Sequence, residues 1–471
     1  MTDFAQLLVA DRGQPAWPVH LVAQAGFDAW LRTRSADDRA ILEVHRFDGK
    51  SAGASVLLPR PDGKFEVIAA VGAVDSLTPW CLARLADTLP EGHYRLVESD
   101  PGQAALGWLL AQHRFDRFRS DPKPRGPRVL LTSGPARIEQ SVRLAAATAL
   151  VRDLVDTPAG QLGPVELEEA VRAEAVRIGA TVDVTAGDAL EHGFPLIHAV
   201  GAAATRDRAP RLIEARWGNP DHPAIAIVGK GVCFDSGGLD IKPASPMRLM
   251  KKDMGGAAHA LALFGLVAAE RLPVRIHLLI PAVENAISGA AFRPGDVIRS
   301  RRGLNVEIDN TDAEGRLILA DAITRAAEGS PELIVDFATL TGAARVALGP
   351  DLPALFVNDD ALASGLLDAA AVVDDPLWRM PLWRGYDEML KSSIADIVNS
   401  TGSSLAGCIT AALFLERFVP AGTPWAHFDT FAWRDKARPG RPKGGDALGL
   451  RAAFALLAAR YRPPSIAGTG A

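Results

Sequence analysis

Carboxylates and one arginine are grouped in the segment NVEIDNTDAEGRLILAD, which covers residues 305 to 321. Acids stand at Asp309, Asp312 and Glu314, and Arg316 follows two residues later. The letters NVEI are typical of a strand, and continued extended backbone would turn positions 312, 314 and 316 to one side and position 309 to the other. Buried acids that converge in this way need a positive charge between them, whereas a solvated charged loop needs none.

Two further segments place lysines and acids next to predicted strand or helix ends. VGKGVCFDSGGLDIKP follows a predicted strand and carries Lys230, Asp235 and Lys242 on a glycine-rich backbone, which permits close approach to a ligand. A nucleotide phosphate loop is the alternative, but neither GxxxxGK[ST] nor GxGxxG occurs in this segment. MKKDMGGAAHALALFGLVAAE puts Asp253 at the head of an apolar helix, where an acid is most often an N-cap.

The three segments together supply four acids beside predicted strand-to-helix junctions: Asp235, Asp253, Asp312 and Glu314. Ligands bind at the carboxyl ends of strands in parallel sheets, so these acids are expected at one edge. Oxygen ligands without cysteine or histidine suit a pair of divalent ions that hold a hydroxide and polarise a carbonyl. A calcium loop is excluded, because D-x-[DN]-x-[DN]-G with a later glutamate is not found there.

The elements that must position these acids alternate in the second half of the chain. From about residue 156, the strand-like segments AIAIVGKG, VRIHLLIPAVEN, LNVEID and ELIVDFATLTG are separated by helical ones. This order predicts an α/β fold with a mixed, largely parallel sheet flanked by helices. We predict an N-terminal α/β domain over residues 1–137, a linker helix over 138–155, and a catalytic domain over 156–471.

Composition excludes several function classes. With 471 residues and 48% hydrophobic content the chain can bury more than one core, while a net charge of -5 gives no electrostatic footprint for nucleic acid or an anionic membrane surface. No apolar run approaches the roughly 18 residues of a membrane span, and the start lacks a basic, signal-like region. Cys81, Cys233 and Cys408 form no CxxC pair. A cytoplasmic protein with a small-molecule partner is expected.

The motifs GKGVCFDSGG, DIKP, MKKDMGGAA and NTDAEGRL resemble, in this order and spacing, the signature segments of the leucyl aminopeptidase family, the two-metal cytosol aminopeptidases. RPGDV and DFATLTGA match as well, so the resemblance extends from about residue 150 to 350. It implies that Lys230, Asp235, Asp253 and Glu314 hold one metal, and that Asp235, Asp312 and Glu314 hold the other. Lysine coordinates only as a neutral amine, so a nearby dication must lower its pKa far below about 10.4.

The same resemblance assigns roles to residues beside the metals. It implies that Arg316 holds a bicarbonate that acts as general base, and that Lys242 polarises the scissile carbonyl. A planar guanidinium suits this task because it can bind a carbonate bidentately. Met250, Thr339 and Leu340 match positions that contact the substrate, although a core role for Met250 stays open.

The resemblance also implies an activity and an assembly. The expected protein is a metallo-exopeptidase with two divalent ions per subunit, Zn²⁺ and/or Mn²⁺, that removes N-terminal leucine or other apolar residues from short peptides. A homohexamer and a smaller N-terminal α/β domain are implied with it. Two alternatives stay open: a DNA-binding or regulatory module on the same fold, and a narrow dipeptidase, for instance for Cys-Gly.

Overall fold

The computed structural model describes residues 2–97, 99–122 and 125–462, and their contacts divide the chain into two compact units. The first unit contains residues 2–149 together with Lys436–Lys443, and the second contains Leu150–Asp435 together with residues 444–462. The boundary falls inside a helix, Ile138–Asp156, in the region where the sequence predicts a linker helix. The predicted domain limits at 137 and 155 stay a prediction, because contacts measure compactness and not independent folding.

The first unit is an α/β sandwich of one sheet and short helices. Its strands are β1 Leu8–Ala10, β2 Trp17–Val22, β3 Ser55–Pro59, β4 Phe65–Ala70, β5 Gly92–Leu96 and β6 Arg128–Thr132. Its helices are α1 Phe27–Arg32, α2 Ala36–Val44, α3 Ala83–Thr88, α4 Ala105–Leu110 and the first part of α5 Ile138–Asp156. The strand order is β1-β6-β5-β2-β4-β3, and the pairing of β3 with β4 is antiparallel while the other pairs are parallel. This unit confirms the predicted smaller α/β domain.

The second unit contains a larger sheet with helices along it. Its strands are β7 Thr181–Ala186, β8 Arg211–Trp217, β9 Ala224–Gly229, β10 Gly231–Asp235, β11 Arg275–Asn285, β12 Val297–Arg299, β13 Asn305–Glu307, β14 Leu333–Ala338, β15 Ala354–Val357, β16 Trp378–Arg379, β17 Ile397–Val398, β18 Trp425–Asp429, β19 Trp433–Arg434 and β20 Gly444–Gly445. Its helices are α6 Pro164–Ile178, α7 Asp188–Gly193, α8 Pro195–Gly201, α9 Ala244–Met247, α10 Gly255–Ala269, α11 Glu314–Ala327, α12 Gly342–Leu348, α13 Asp360–Val372, α14 Gly407–Glu416 and α15 Leu450–Tyr461.

The centre of the large sheet is parallel. Strands follow the order β16-β15-β18-β14-β9-β11-β8-β7, and β10 pairs with β11 beyond the end of β9. The strands β18, β14, β9, β11 and β10 all run in one direction, whereas β15, β8 and β7 add antiparallel pairs at the two sides. Central strands such as AIAIVG and LIVDFA are apolar almost throughout, as expected for strands covered on both faces. The predicted mixed, largely parallel sheet is confirmed.

The buried helices α10 and α11 cover this sheet and begin next to residues of the predicted site. In α10 the sequence GGAAHALALFGLVAA is hydrophobic all round, and fourteen of its fifteen residues are buried, as a helix inside a large core should be. In α11 the residues from Glu314 to Ile323 are all buried as well. Among the described residues no helix is both long and apolar enough to cross a membrane.

Candidate active site

The carboxyl ends of five parallel strands carry the polar residues of the site. Lys230 directly follows β9, Asp235 ends β10, and Asn285 ends β11. Thr339 follows β14, and Asp429 ends β18. Because these strands run in one direction, their ends meet at one edge of the sheet, where α/β folds bind ligands.

The opening segment folds differently from the extended chain that its letters suggest. Strand β13 ends at Glu307, Asp312 lies in a turn, and Glu314 begins α11, so the prediction of extended backbone through position 316 is wrong. The side chain of Asn310 accepts the backbone N–H of Asp312 at 2.7 Å, which turns the chain before the helix starts. Asp312 and Glu314 nevertheless converge, because a tight turn and a helix start bring them to one place.

Three acids form a cluster with oxygen atoms of Asp235, Asp312 and Glu314 all within 4.8 Å of one another. Burial, and after it the charge of Asp235, raises the pKa of Asp312 to about 6 and the pKa of Glu314 to about 8. Both effects disfavour the charged carboxylates. The cluster therefore needs strong positive charge to stay ionised at neutral pH.

Lys230 supplies part of that charge from the side of β9. Its Nζ donates to Asp253 Oδ2 at 2.6 Å and to the carbonyl of Thr339 at 3.1 Å, and it lies 2.9 Å from Glu314 Oε1. Burial alone lowers the pKa of Lys230, but the charges of Asp253, Glu314 and Asp235 outweigh it and raise the pKa above its ordinary value. In this arrangement the amine is protonated.

Lys242 lies across the cluster from Lys230. Its Nζ is 2.7 Å from Asp235 Oδ2 and donates a short hydrogen bond to Asp312. Burial lowers the pKa of Lys242, and the surrounding acids, Asp235 first and Glu314 next, more than reverse this effect. The surrounding acids therefore favour the charged form of Lys242.

Asp253 lies in the short 3₁₀ helix Met250–Met254, just before α10. The N-cap of α10 is Met254, so Asp253 does not cap that helix. Its Oδ1 accepts a hydrogen bond from Thr339 Oγ1 at 2.8 Å, while its Oδ2 faces Lys230. Burial raises the pKa of Asp253, but the charges of Lys230 and Lys252 overcome this and lower it.

The hydrogen bonding and the chemical type of the cluster's oxygen atoms suit it to bind divalent cations. Glu314 Oε1 is buried and, in the described chain, accepts no hydrogen bond of good geometry although Lys230 is near. Buried polar atoms normally have partners, so this oxygen is free for a ligand. Converging carboxylates are the ligands that hard divalent ions prefer. The set lacks cysteine and histidine, as the sequence predicted.

Two glycines, Gly315 and Gly237, leave space for the side chains of Lys230 and Asp312. A Cβ at Gly315 would lie 2.5 Å from Cε and 2.8 Å from Nζ of Lys230. Gly237 has φ +89°, and a Cβ there would lie 3.1 Å from Asp312 Oδ1. Both positions exclude larger side chains for steric reasons, and the second also for its left-handed backbone.

Arg316 lies in the first turn of α11, two residues after Glu314. Its Nη1 donates to the carbonyl of Asn399 at 2.7 Å, and its Nε is buried without a hydrogen-bond partner in the part of the chain that the structure describes. Burial lowers the pKa of Arg316 to about 10. A guanidinium with an unused edge in a buried place is suited to an anion.

The three residues predicted to contact substrate lie around this edge. Met250 is buried at the start of the 3₁₀ helix that contains Asp253. Thr339 is buried and hydrogen-bonded to Asp253, and the N–H of Leu340 donates to Asp429 Oδ1 at 3.1 Å. Thr339 thus contacts a predicted metal ligand, Met250 shares the 3₁₀ helix of that ligand, and the substrate roles of all three residues stay a prediction.

Three polar residues at the site were missed by the sequence analysis. Asn285 donates to Asp235 Oδ1 at 2.9 Å, and Asn399 Oδ1 accepts the N–H of Asp309 at 2.8 Å. Asp429 accepts hydrogen bonds from the backbone and hydroxyl of Thr341 and so fixes the loop after β14. Each partner is distant in sequence, and the position of Asn285 at the end of a predicted strand was the one local signal.

Comparisons with known families cover most of the chain. Residues 149–454 match the model described as "Cytosol aminopeptidase family, catalytic domain", and residues 17–130 match "M17 aminopeptidase, N-terminal domain". A probable cytosol aminopeptidase of Syntrophotalea carbinolica is 44% identical over 368 residues, which are 74% of this chain and 73% of that protein. These matches cover both units of the fold.

Solved structures agree with the sequence matches. The crystal structure of the cytosol aminopeptidase of Coxiella burnetii superposes with a TM-score of 0.92 and 44% identity, over 97% of this chain and 100% of that one. The bottromycin maturation enzyme BotP in complex with Mn has a TM-score of 0.85 and 32% identity, again over 97% and 100%. These names give no support to a DNA-binding or regulatory module.

Proposed function

Because the chain belongs to the cytosol aminopeptidase family and is a peptidase hydrolase, we propose that it removes single residues from the free N-termini of peptides. The observation that carries this proposal is the convergence of Asp235, Asp312 and Glu314 oxygens within 4.8 Å beside the buried Lys230 and the half-buried Lys242. Burial raises the pKa values of Asp312 and Glu314, so the clustered carboxylates need added positive charge, which divalent cations would supply.

We assign the metal ligands as the family resemblance implies. Lys230, Asp235, Asp253 and Glu314 would hold one divalent ion, and Asp235, Asp312 and Glu314 would hold the other. Such a pair of ions supplies Lewis-acid polarisation of a carbonyl and an activated water at neutral pH. Zn²⁺ and/or Mn²⁺ are the proposed ions, and the Mn complex of BotP supports a divalent choice.

Lys230 must change its protonation state to take this role. Its amine now donates to Asp253 and to the carbonyl of Thr339, and only a neutral amine has a lone pair for a cation. Ion binding is therefore coupled to release of a proton from Lys230. Glu314 Oε1, at 2.9 Å, is close enough to share the same ligand.

Lys242 and Arg316 act on the reacting groups. Lys242 keeps its proton, so its Nζ can donate to the oxygen of the scissile carbonyl and stabilise the negative charge that develops there. Arg316 offers its unpartnered Nε to a bicarbonate, which would take the proton from the attacking water as general base. The cofactor bicarbonate is thus proposed together with the metals.

Two residues near the proposed substrate site, Met250 and Lys252, favour different types of N-terminal substrate residue. The resemblance implies a preference for leucine or another apolar N-terminal residue, and the buried thioether of Met250 supports it. Lys252, two residues later in the same 3₁₀ helix, is also buried, and burial lowers the pKa of its amine. Short peptides fit either indication, and so does a dipeptide such as Cys-Gly.

A peptide with a free N-terminus and its N-acetylated form test the exopeptidase activity. The Zn²⁺- or Mn²⁺-loaded protein should shorten the free peptide by one residue at a time and leave the acetylated peptide intact, because the site acts on a free amine. Mass spectrometry of timed samples reads out the ladder. Internal cleavage, or equal cleavage of both peptides, would contradict the proposal. A gel shift with DNA in parallel should stay negative.

A homohexamer is proposed from the same resemblance. Exposed apolar side chains on the second unit support self-association, since Trp378 and Trp383 keep 58% and 61% of their surface exposed. Sedimentation velocity at micromolar concentration should show a species of about six ~50 kDa subunits. A single ~50 kDa species would refute the assembly. A cytoplasmic location is proposed with it, which the word cytosol in the names of the relatives supports.

A further inference from the structure

We infer that Lys252 and Arg345, which flank the ring of Phe431, bind the carboxylate of an acidic N-terminal substrate residue, aspartate or glutamate. The inference rests on the proposed aminopeptidase function and assigns its substrate class. It competes with the apolar preference that the family resemblance implies.

Lys252 is a buried lysine whose amine faces one acid and one aromatic ring. Lys252 is 5% exposed, and its Nζ lies 5.1 Å from the centroid of the Phe431 ring. The nearest carboxylate oxygen in an ion pair with it is Asp253 Oδ1, at 3.5 Å. Across the described residues its Nζ donates no hydrogen bond, although an ammonium has three donors. A buried cation with free donors is costly unless a ligand completes it.

Arg345 brings a second cation to the same ring. Its Cζ lies 4.7 Å from the Phe431 centroid, on the exposed side of α12. Within residues 2–97, 99–122 and 125–462, Arg345 makes no ion pair with an acid. Two like charges beside one ring repel each other, and a carboxylate in contact with both would replace this repulsion by attraction. The pair therefore forms a receptor for a carboxylate.

The acid that is closest to Lys252 is already occupied on its other side. Asp253 Oδ2 accepts from Lys230 at 2.6 Å, and Oδ1 accepts from Thr339 Oγ1 at 2.8 Å. Asp253 is also a proposed metal ligand, so its charge is shared among several cations. Lys252 is thus not neutralised by this acid alone.

The position of Lys252 suits the side chain of the first substrate residue. It lies in the 3₁₀ helix that begins with Met250, a predicted substrate contact, and contains Asp253, a proposed metal ligand. The amine and the side chain leave the same Cα, so a side chain must lie within a few bonds of that amine. Aspartate and glutamate have a carboxylate at this reach, whereas leucine would leave Lys252 buried without a partner.

The carboxylate could also come from the C-terminus of a dipeptide. The geometry favours the side chain, because Lys252 shares one short 3₁₀ helix with Met250, a predicted substrate contact. Fluorogenic aminoacyl amides have no C-terminal carboxylate and isolate the side chain, while Leu-Gly and Leu-Gly amide differ only in that carboxylate.

The test compares four fluorogenic amides, of glutamate, aspartate, glutamine and leucine, with the metal-loaded protein. The kcat/KM for glutamate should exceed that for its neutral isostere glutamine by about 10-fold or more. Lys252→Met should lower the kcat/KM for glutamate roughly 10- to 100-fold and leave glutamine nearly unchanged. Arg345→Met should act in the same direction with a smaller effect. Because Arg345 is exposed, this variant tests the inference even if Lys252→Met folds poorly.

Lys251→Met is the matched control. Lys251 is the neighbouring lysine, donates to the carbonyl of Asp156 and should leave the ratio of glutamate to glutamine unchanged. Metals per subunit and the melting temperature are measured for every variant.

Three results would overturn the inference. Faster hydrolysis of the leucine than of the glutamate amide would do so, as would an equal loss for glutamate and glutamine in Lys252→Met. If Lys252→Met lowered the kcat/KM for Leu-Gly but not for Leu-Gly amide or the fluorogenic amides, the two cations would be assigned to a C-terminal carboxylate instead. Hydrolysis of none of the substrates would refute the proposed function itself and the inference with it.

Discussion

Dialysis against a strong chelator of divalent metals is expected to abolish the hydrolysis of aminoacyl amides completely. Oxygens of Asp235, Asp312 and Glu314 converge within 4.8 Å, and burial raises the pKa of Glu314 to about 8, so the carboxylates need added positive charge. Added Mn²⁺ or Zn²⁺ should restore the rate, because the reaction needs Lewis-acid activation of both water and carbonyl. Initial rates and metals per subunit are measured before dialysis, after it and after readdition.

The fold should survive this treatment, which separates loss of chemistry from loss of structure. A chain of 471 residues with two extended cores does not depend on metal for folding, so circular dichroism should stay unchanged. Chelator saturated with Zn²⁺ beforehand is the control and should leave the rate intact. An unchanged rate in protein that has lost its metal would overturn the two-metal proposal.

The sequence located the site because parallel topology is simple to predict. Lys230 and Thr339 each follow an apolar strand, and parallel strands end at a common edge. The alternation of strands and helices therefore predicted both the sheet and the convergence. The smaller N-terminal domain followed only from position and length in the family resemblance, and the structure shows its separate sheet.

Local backbone geometry was harder to predict than topology. GVCFD was interpreted as part of a glycine-rich loop, but it forms β10 parallel to β11 from Gly231 to Asp235. Residues 312 to 316 were predicted to be extended, and this prediction failed because tertiary contacts determine the backbone there. The side chains of Asn310 and Asn399 redirect the backbone there, and Asn399 lies 89 residues from the N–H that it accepts at position 310. Such pairings depend on tertiary contacts, not on local pattern.

The adjacent residues Lys251 and Lys252 give another example of side-chain positions that the sequence alone does not predict. Lys251 and Lys252 are equivalent in the string MKKD, and sequence alone assigns neither a role. In the structure Lys251 donates to the carbonyl of Asp156, whereas Lys252 turns toward Asp253 and Phe431. The 3₁₀ geometry of Met250–Met254 decides which one faces the site, because one residue of rotation separates their directions.

Replacing Arg316 by alanine is expected to lower kcat by roughly 10²- to 10⁴-fold, the usual worth of a positioned general base. The substitution removes the buried Nε that has no partner in the described structure, and with it the proposed bicarbonate site. It leaves Lys230, Asp235 and Glu314 in place, so metals per subunit should stay near the wild-type value. Steady-state kinetics on one aminoacyl amide, with metal analysis of the same samples, measure both effects.

The response to bicarbonate distinguishes a lost base from a disturbed helix. Arg316→Ala also removes the donor to the carbonyl of Asn399, which by itself could loosen α11. Arg325→Ala on the same helix is the matched control, because it removes ion pairs with Glu214 and Glu328 but no group near the acids. Added bicarbonate should raise the rate of wild type and of Arg325→Ala, and have little effect on Arg316→Ala. Equal stimulation of all three proteins would show that bicarbonate acts elsewhere, and Arg316 would then be a structural residue of α11.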